Sequence, residues 1–180
     1  GLENTDITTN ERGAIVVNDT CESSVPGVYA VGDVNGGPQF TYISLDDFRI
    51  VFSALTGNGH YTLKDRKNIP YTTFLTPPLA RVGLTEEDAI NKGYTVKTKE
   101  MLVATMPRAH VNDNLKGAFK IVVDAESNLI LGATLYSQGA EELINMIKVA
   151  MDNNIPYTYF KNQIFTHPTM AENLNDLCNF

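Results

Sequence analysis

The sequence predicts an α+β fold: a C-terminal domain with an antiparallel sheet and helices, preceded by a shorter stretch of α/β character. Three observations predict it. The runs Ala118-Phe119-Lys120-Ile121-Val122-Val123-Asp124 and Leu129-Ile130-Leu131-Gly132-Ala133-Thr134-Leu135-Tyr136 flank the turn Ala125-Glu126-Ser127-Asn128, which reads as a hairpin. A run of strand candidates precedes the longest helical pattern, about residues 139–153, an order that segregates helices from an antiparallel sheet. Near the start, Val28-Tyr29-Ala30-Val31 is almost continuously apolar, the pattern of a strand buried on both faces of a parallel sheet.

Composition excludes several classes. A hydrophobic fraction of 43% is enough to build a core and argues against disorder. The formal net charge of -7 leaves no basic stripe to neutralise phosphates, so nucleic acid is not an expected partner. No apolar run approaches the ~20 residues that span a bilayer, so no membrane association is expected. Gly1-Leu2-Glu3-Asn4 is not a signal peptide, and the missing initiator Met leads us to expect a chain that begins inside a longer one. Cys21 and Cys178, far apart, form neither a disulfide framework nor a metal-ligand spacing and read as incidental. That fits a reducing, cytoplasmic location. His60 and His110 lie in polar, turn-like surroundings without ligand partners, so no metal site is expected.

In chain order, residues 1–12 read as a loop and Ala14-Ile15-Val16-Val17 as a short strand. The strand at 28–31 ends in Gly32-Asp33-Val34. A carboxylate there sits where open α/β sheets bind ligands; Gly32 permits close approach of a ligand or another backbone, and Asp33 can accept hydrogen bonds from sugar-type hydroxyls. Asp33 as the cap of a turn explains the spacing equally well. Residues 41–56 form a helix with Leu45, Phe48, Phe52 and Leu55 as a core stripe, Asp46 and Asp47 near its positive end, and a stop at Gly57-Asn58-Gly59. The charged, unpatterned stretch 60–68 reads as a linker, dividing the chain into residues 1–66 and 67–180. Beyond it, residues 71–76, 79–83 and 94–104 are strand candidates. Thr85-Glu86-Glu87-Asp88 is a capping box whose helix stops at Gly93. In the 139–153 helix Leu143, Ile147, Ala150 and Met151 share one face.

The chemistry concentrates in Gln163-Ile164-Phe165-Thr166-His167-Pro168-Thr169-Met170-Ala171-Glu172. Histidine is the side chain whose ordinary pKa, about 6.5, lies nearest neutrality, and a carboxylate on one ring nitrogen would fix its tautomer. Pro168 restricts the backbone on either side of it. Thr169 to Glu172 is also a T-x-x-E capping box for a short terminal helix through Leu174 and Leu177. The two readings are compatible, because either carboxylate oxygen can accept. Elsewhere there is no G-x-G-x-x-G after a strand, no phosphate-binding G-x-x-x-x-G-K-[ST], no C-x-x-C and no G-x-S-x-G.

These motifs together resemble a known family. Val28-Tyr29-Ala30-Val31-Gly32-Asp33-Val34 is similar to the second FAD-binding fingerprint of the flavoprotein pyridine nucleotide-disulfide oxidoreductases, the group of glutathione reductase, dihydrolipoamide dehydrogenase and mercuric reductase. The run Thr76-Pro77-Pro78-Leu79-Ala80-Arg81-Val82-Gly83-Leu84-Thr85-Glu86 resembles the opening of their dimerisation domain, and His167-Pro168-Thr169 with Glu172 resembles their catalytic tail. Within the group, residues 39–49 and 164–168 look most like bacterial flavoproteins that defend against reactive chlorine species and reduce hypothiocyanous acid. Mercuric reductases resemble the chain but carry a vicinal cysteine pair at the C-terminus, where only Cys178 is present.

The resemblance implies FAD and NAD(P)H as cofactors of the parent enzyme. Asp33 and Gly32 would lie at the ribityl chain of FAD, and Phe40 and Thr41, at the start of the 41–56 helix, would face the flavin. A two-fold homodimer would bring His167 and Glu172 into the partner's active site, and the His167-Pro168 bond would be cis. Its interface would bury on the order of 2,000 Å² or more, with the 139–153 helix and the 169–177 segment at the two-fold. The family's first FAD fingerprint, redox cysteine pair and NAD(P)H domain are not in this sequence, so the chain alone is expected to be inactive and to hold FAD weakly at best. The alternatives are a dimerisation module without a catalytic role, a conventional disulfide reductase or dihydrolipoamide dehydrogenase, and a stand-alone nucleotide-binding protein.

Overall fold

A computed structural model describes residues 1–57 and 60–180, which divide into two units, Gly1–Lys67 and Asn68–Phe180. The first unit is mostly turns and single bridges around one helix, α1 (Thr41–Leu55). Residues 28–31 are not a doubly buried strand: they make one antiparallel bridge, Glu22↔Tyr29, and Val28 and Val31 are exposed. Residues 14–17 have only the bridge Thr9↔Ile15. A strand buried on both faces needs paired neighbours at both edges, and the described residues of this unit supply none.

α1 has the expected length but the opposite burial. Ile43, Asp47 and Ile50 face inward, while Phe48 and Phe52 are 54% and 57% exposed, with ring centroids 5.8 Å apart. Periodicity locates an apolar stripe without saying what covers it. Asp46 and Asp47 lie beyond the first turn, so the helix dipole does not explain them; they bind Arg66 instead. The expected stop at Gly57-Asn58-Gly59 falls partly outside the described residues, at Asn58 and Gly59. Nor is the 60–68 stretch unpatterned: Thr62 and Asp65 close a capping box around a 3-10 turn, Leu63–Asp65.

The second unit is one antiparallel sheet of β1 (Tyr71–Thr73), β2 (Leu79–Gly83), β3 (Val96–Leu102), β4 (Ala118–Asp124) and β5 (Ile130–Tyr136), in spatial order β1-β2-β5-β4-β3. The β4–β5 hairpin forms its centre, with Phe119 opposite Leu135 and Ile121 opposite Ala133. Five helices accompany the sheet: α2 (Glu86–Asn91), α3 (Pro107–Val111), α4 (Ala140–Asp152), α5 (Tyr157–Lys161) and α6 (Asn173–Leu177). α4 packs on β2 and β5 through Leu143, Ile147, Ala150 and Met151, the predicted face. Thr85 caps α2 by accepting from the Asp88 amide, as its sequence requires. Sequence reading missed α3 and α5, each five residues long; that is too short to show a helical period. β1 stops at Thr73, before a cis Thr76–Pro77 bond.

Candidate functional site

The C-terminal tail positions its histidine from a buried platform. Leu174, Leu177 and Cys178 sink into the core and fix α6, the helix that follows the His-Pro-Thr loop. Glu172 holds two partners. Its Oε1 accepts from the Thr169 amide at 3.2 Å while Thr169 Oγ1 accepts from the Glu172 amide at 3.3 Å. These reciprocal bonds close the turn ahead of α6, which starts only at Asn173 with Glu172 at its N-cap, so the T-x-x-E motif shapes the turn rather than capping the helix. Its Oε2 lies 2.7 Å from His167 Nδ1. An ionised carboxylate can only accept, so Nδ1 carries the proton and Nε2 is the nitrogen left to face a reactant. The His167 side chain is 68% exposed and that of Glu172 18%, so the imidazole projects outward from a fixed carboxylate. The His167–Pro168 bond is cis, the isomer implied by the resemblance.

The other expected residues lie in the first unit. Gly32 opens a 3-10 turn, Gly32–Asn35, with φ of +74°. A Cβ there would fall 2.5 Å from Ser44 Oγ, so glycine lets this turn approach α1 closely. Asp33 is exposed and borders an open pocket of about 590 Å³ lined also by Asn10, Arg12, Gly36 and Gln39. Phe40 is the residue before α1, with its ring stacked 5.1 Å from that of Tyr42, and Thr41 is the first residue of the helix. The structure thus brings His167 to Glu172, and sets Gly32 and Asp33 in one turn packed against α1.

Sequence reasoning missed Asp47. This fully buried carboxylate accepts from the Gly32 amide at 2.7 Å, from Asn35 Nδ2 at 2.9 Å and from Arg66 Nη2 at 2.5 Å. Arg66 also donates through Nε to Asp46 at 2.7 Å. The turn that carries Asp33 is therefore pinned to α1 and to the 60–67 segment by one charge. Nothing in the spacing announces this, because Arg66 lies 19 residues on, in apparent linker.

The cysteines are poor nucleophiles. Burial pushes the Cys178 thiol up to about 12 and the Cys21 thiol up to about 11. Among the described residues no group of His, Cys, Asp and Glu could hold a metal ion, and no helix is long and apolar enough to cross a membrane.

Comparison with known proteins gives this geometry a context. Residues 69–178 match the family model for the pyridine nucleotide-disulphide oxidoreductase dimerisation domain, and residues 1–47 match that for pyridine nucleotide-disulphide oxidoreductase. The chain is 49% identical over 175 residues to the probable pyridine nucleotide-disulfide oxidoreductase RclA of Escherichia coli, covering 97% of this chain and 40% of that protein. It is 34% identical to the mercuric reductase of Staphylococcus aureus over 96% of this chain and 31% of that protein. A solved structure of the HOCl-induced flavoprotein disulfide reductase RclA from Escherichia coli superposes with a TM-score of 0.95 at 47% identity, covering 98% of this chain and 41% of that one. The chain therefore spans 40% or less of the length of these two curated relatives. With its dimerisation-domain match extending over more than half of its residues, the chain belongs to the pyridine nucleotide-disulphide oxidoreductase family.

Proposed function

We propose that this chain is the C-terminal part of an NAD(P)H- and FAD-dependent disulfide oxidoreductase, acting as a homodimer, in which His167 of one protomer is the acid–base group for the other protomer's redox thiols. The observation that carries the proposal is the 2.7 Å contact between His167 Nδ1 and Glu172 Oε2. With Nδ1–H held by the carboxylate, Nε2 accepts a proton from a thiol and returns it when the thiolate leaves. Glu172 holds the tautomer and stabilises the imidazolium that forms in between. On this reading residues 67–180 are the dimerisation domain and residues 1–66 the end of the FAD-binding domain.

The residues of the first unit fit a flavin nucleotide. Asp33, exposed beside an open pocket, can accept from ribityl hydroxyls, and Gly32 keeps that turn close to α1. Phe40 and Thr41, at the positive end of a 15-residue helix, would face the flavin ring and favour negative charge on it. The chemistry that bound FAD supplies is electron transfer from NAD(P)H to a disulfide. Without the rest of the parent the chain is expected to hold FAD weakly and to be inactive; the parent enzyme is expected in the cytoplasm.

The resemblance of residues 39–49 and 164–168 to bacterial flavoproteins that reduce hypothiocyanous acid makes that acid the electron acceptor on this reading. The test is NAD(P)H oxidation by the full-length protein, wild type and His167→Ala, against hypothiocyanous acid, glutathione disulfide, lipoamide and mercuric ion. We expect fast turnover with hypothiocyanous acid that falls by about 10²–10⁴-fold in the variant, the usual contribution of a positioned acid–base group. Turnover with a conventional disulfide alone would move the enzyme to another branch of the family. Unchanged turnover in a variant that still dimerises would reduce this region to an assembly module.

A further inference from the structure

We infer that Asn175 is a positioning residue for His167, acting from α6 on the loop that carries the imidazole; the inference rests on the acid–base reading of His167. That loop has little main-chain support of its own. The Asn162 and Gln163 amides donate to Tyr159 and Phe160 carbonyls at 3.2 and 3.3 Å, but from Ile164 to Pro168 no backbone-to-backbone hydrogen bond is made among the described residues. Ile164, at the crest, is 98% exposed. Side chains must therefore set where the loop sits.

Asn175 does this at the upstream end. Its Nδ2 donates to the Phe160 carbonyl at 2.7 Å and the Gln163 carbonyl at 3.0 Å, with a longer contact of 3.4 Å to the Lys161 carbonyl. All three neighbours are acceptors, so the amide must present its nitrogen, and its two N–H groups match the two short contacts. Phe160 and Lys161 form the last turn of α5, where helix carbonyls lack intrahelical partners. Asn175 caps that helix from outside and starts the loop in one direction.

Downstream, buried Asn173 donates to the Thr169 and Met170 carbonyls at 3.2 and 3.1 Å. α6 is itself clamped, because Lys99 Nζ donates to the Asp176 and Asn179 carbonyls at 2.7 and 2.6 Å. One short helix and the residue before it thus grip the loop: before His167 through Asn175, after it through Asn173, and at the imidazole through Glu172. Phe165 packs on the core within this loop, so losing the upstream grip leaves the loop to pivot about that contact and shift the ring from its working position. A shift of about 1 Å at a reacting group costs on the order of 10²-fold.

The experiment uses the full-length protein with Asn175→Asp, which keeps the shape but turns oxygens toward three carbonyls. Turnover is measured in the wild-type and His167→Gln backgrounds, beside melting temperature and dimer content. We expect Asn175→Asp to lower kcat at least tenfold in the first background and less than twofold in the second, because a residue that acts through His167 has nothing left to position. Equal losses in both backgrounds, or a lower melting temperature with unchanged kcat, would overturn the inference. If His167→Gln alone leaves turnover intact, the acid–base reading has failed, and this inference falls with it. Should Asn175→Asp not fold, Asn175→Ser carries the same two-background comparison.

Discussion

Glu172 divides its two oxygens between the Thr169 amide and an imidazole, so the T-x-x-E motif shapes the turn ahead of α6 and the His–Glu pair at once. The constellation was legible because its partners lie within six residues of one another in sequence and both carry chemistry in their side chains. The grip of Asn175 was not legible: its partners are carbonyls 12 to 15 residues away, which every sequence possesses. The cysteines make a residue-scale prediction. Both thiols are raised from an ordinary value of 9.0, to about 12 for Cys178 and about 11 for Cys21, chiefly by burial. The folded chain therefore keeps them protonated where an unfolded one begins to ionise, so their contribution to stability is intact below pH 9 and is lost as pH rises toward 11 and 12. At pH 8 an aromatic disulfide reagent should label Cys21 and Cys178 only after denaturant is added. Fast labelling of either in the folded protein would contradict the burial described here.

At the scale of elements, periodicity served the sheet and α4 well and misled on α1. The face of α4 was read correctly because β2 and β5, which cover it, lie in the same unit. The stripe Leu45, Phe48, Phe52 and Leu55 is just as regular, yet it is exposed, and the inward side is organised by a charge. Asp47 joins α1 to the Gly32–Asn35 turn and to Arg66. Removing it takes away one of the two carboxylates that hold a guanidinium only 10% exposed, and leaves the Gly32 amide without its acceptor. Asp47→Ala should therefore destabilise the first unit by about 3 kcal/mol, the scale for breaking a buried ion pair from one side. Urea unfolding of the full-length protein checks this: the first transition should move to lower urea, and an unmoved midpoint would show that Asp47 is not the pin.

At the scale of the whole molecule, the chain carries a family dimerisation domain and an exposed histidine held by a half-buried glutamate. In the proposed homodimer, an imidazole that points outward from one protomer would serve the other. The antiparallel sheet and its helices were readable from a hairpin and from strands that precede a long helix, both local signals, whereas the apolar run 28–31 suggested a buried parallel strand that is not there. The arrangement of a second protomer is not written in any local pattern, which is why the trans assignment needs a direct test. That test is complementation in the full-length enzyme, by co-expressing a His167→Ala protomer with one whose redox cysteines are replaced. Each homodimer should be inactive. If His167 acts in trans, the hybrid dimer has one site with intact cysteines facing an intact histidine, and it should recover about half of wild-type turnover. If the hybrid is as inactive as its parents, His167 does not work across the dimer and the central claim is wrong.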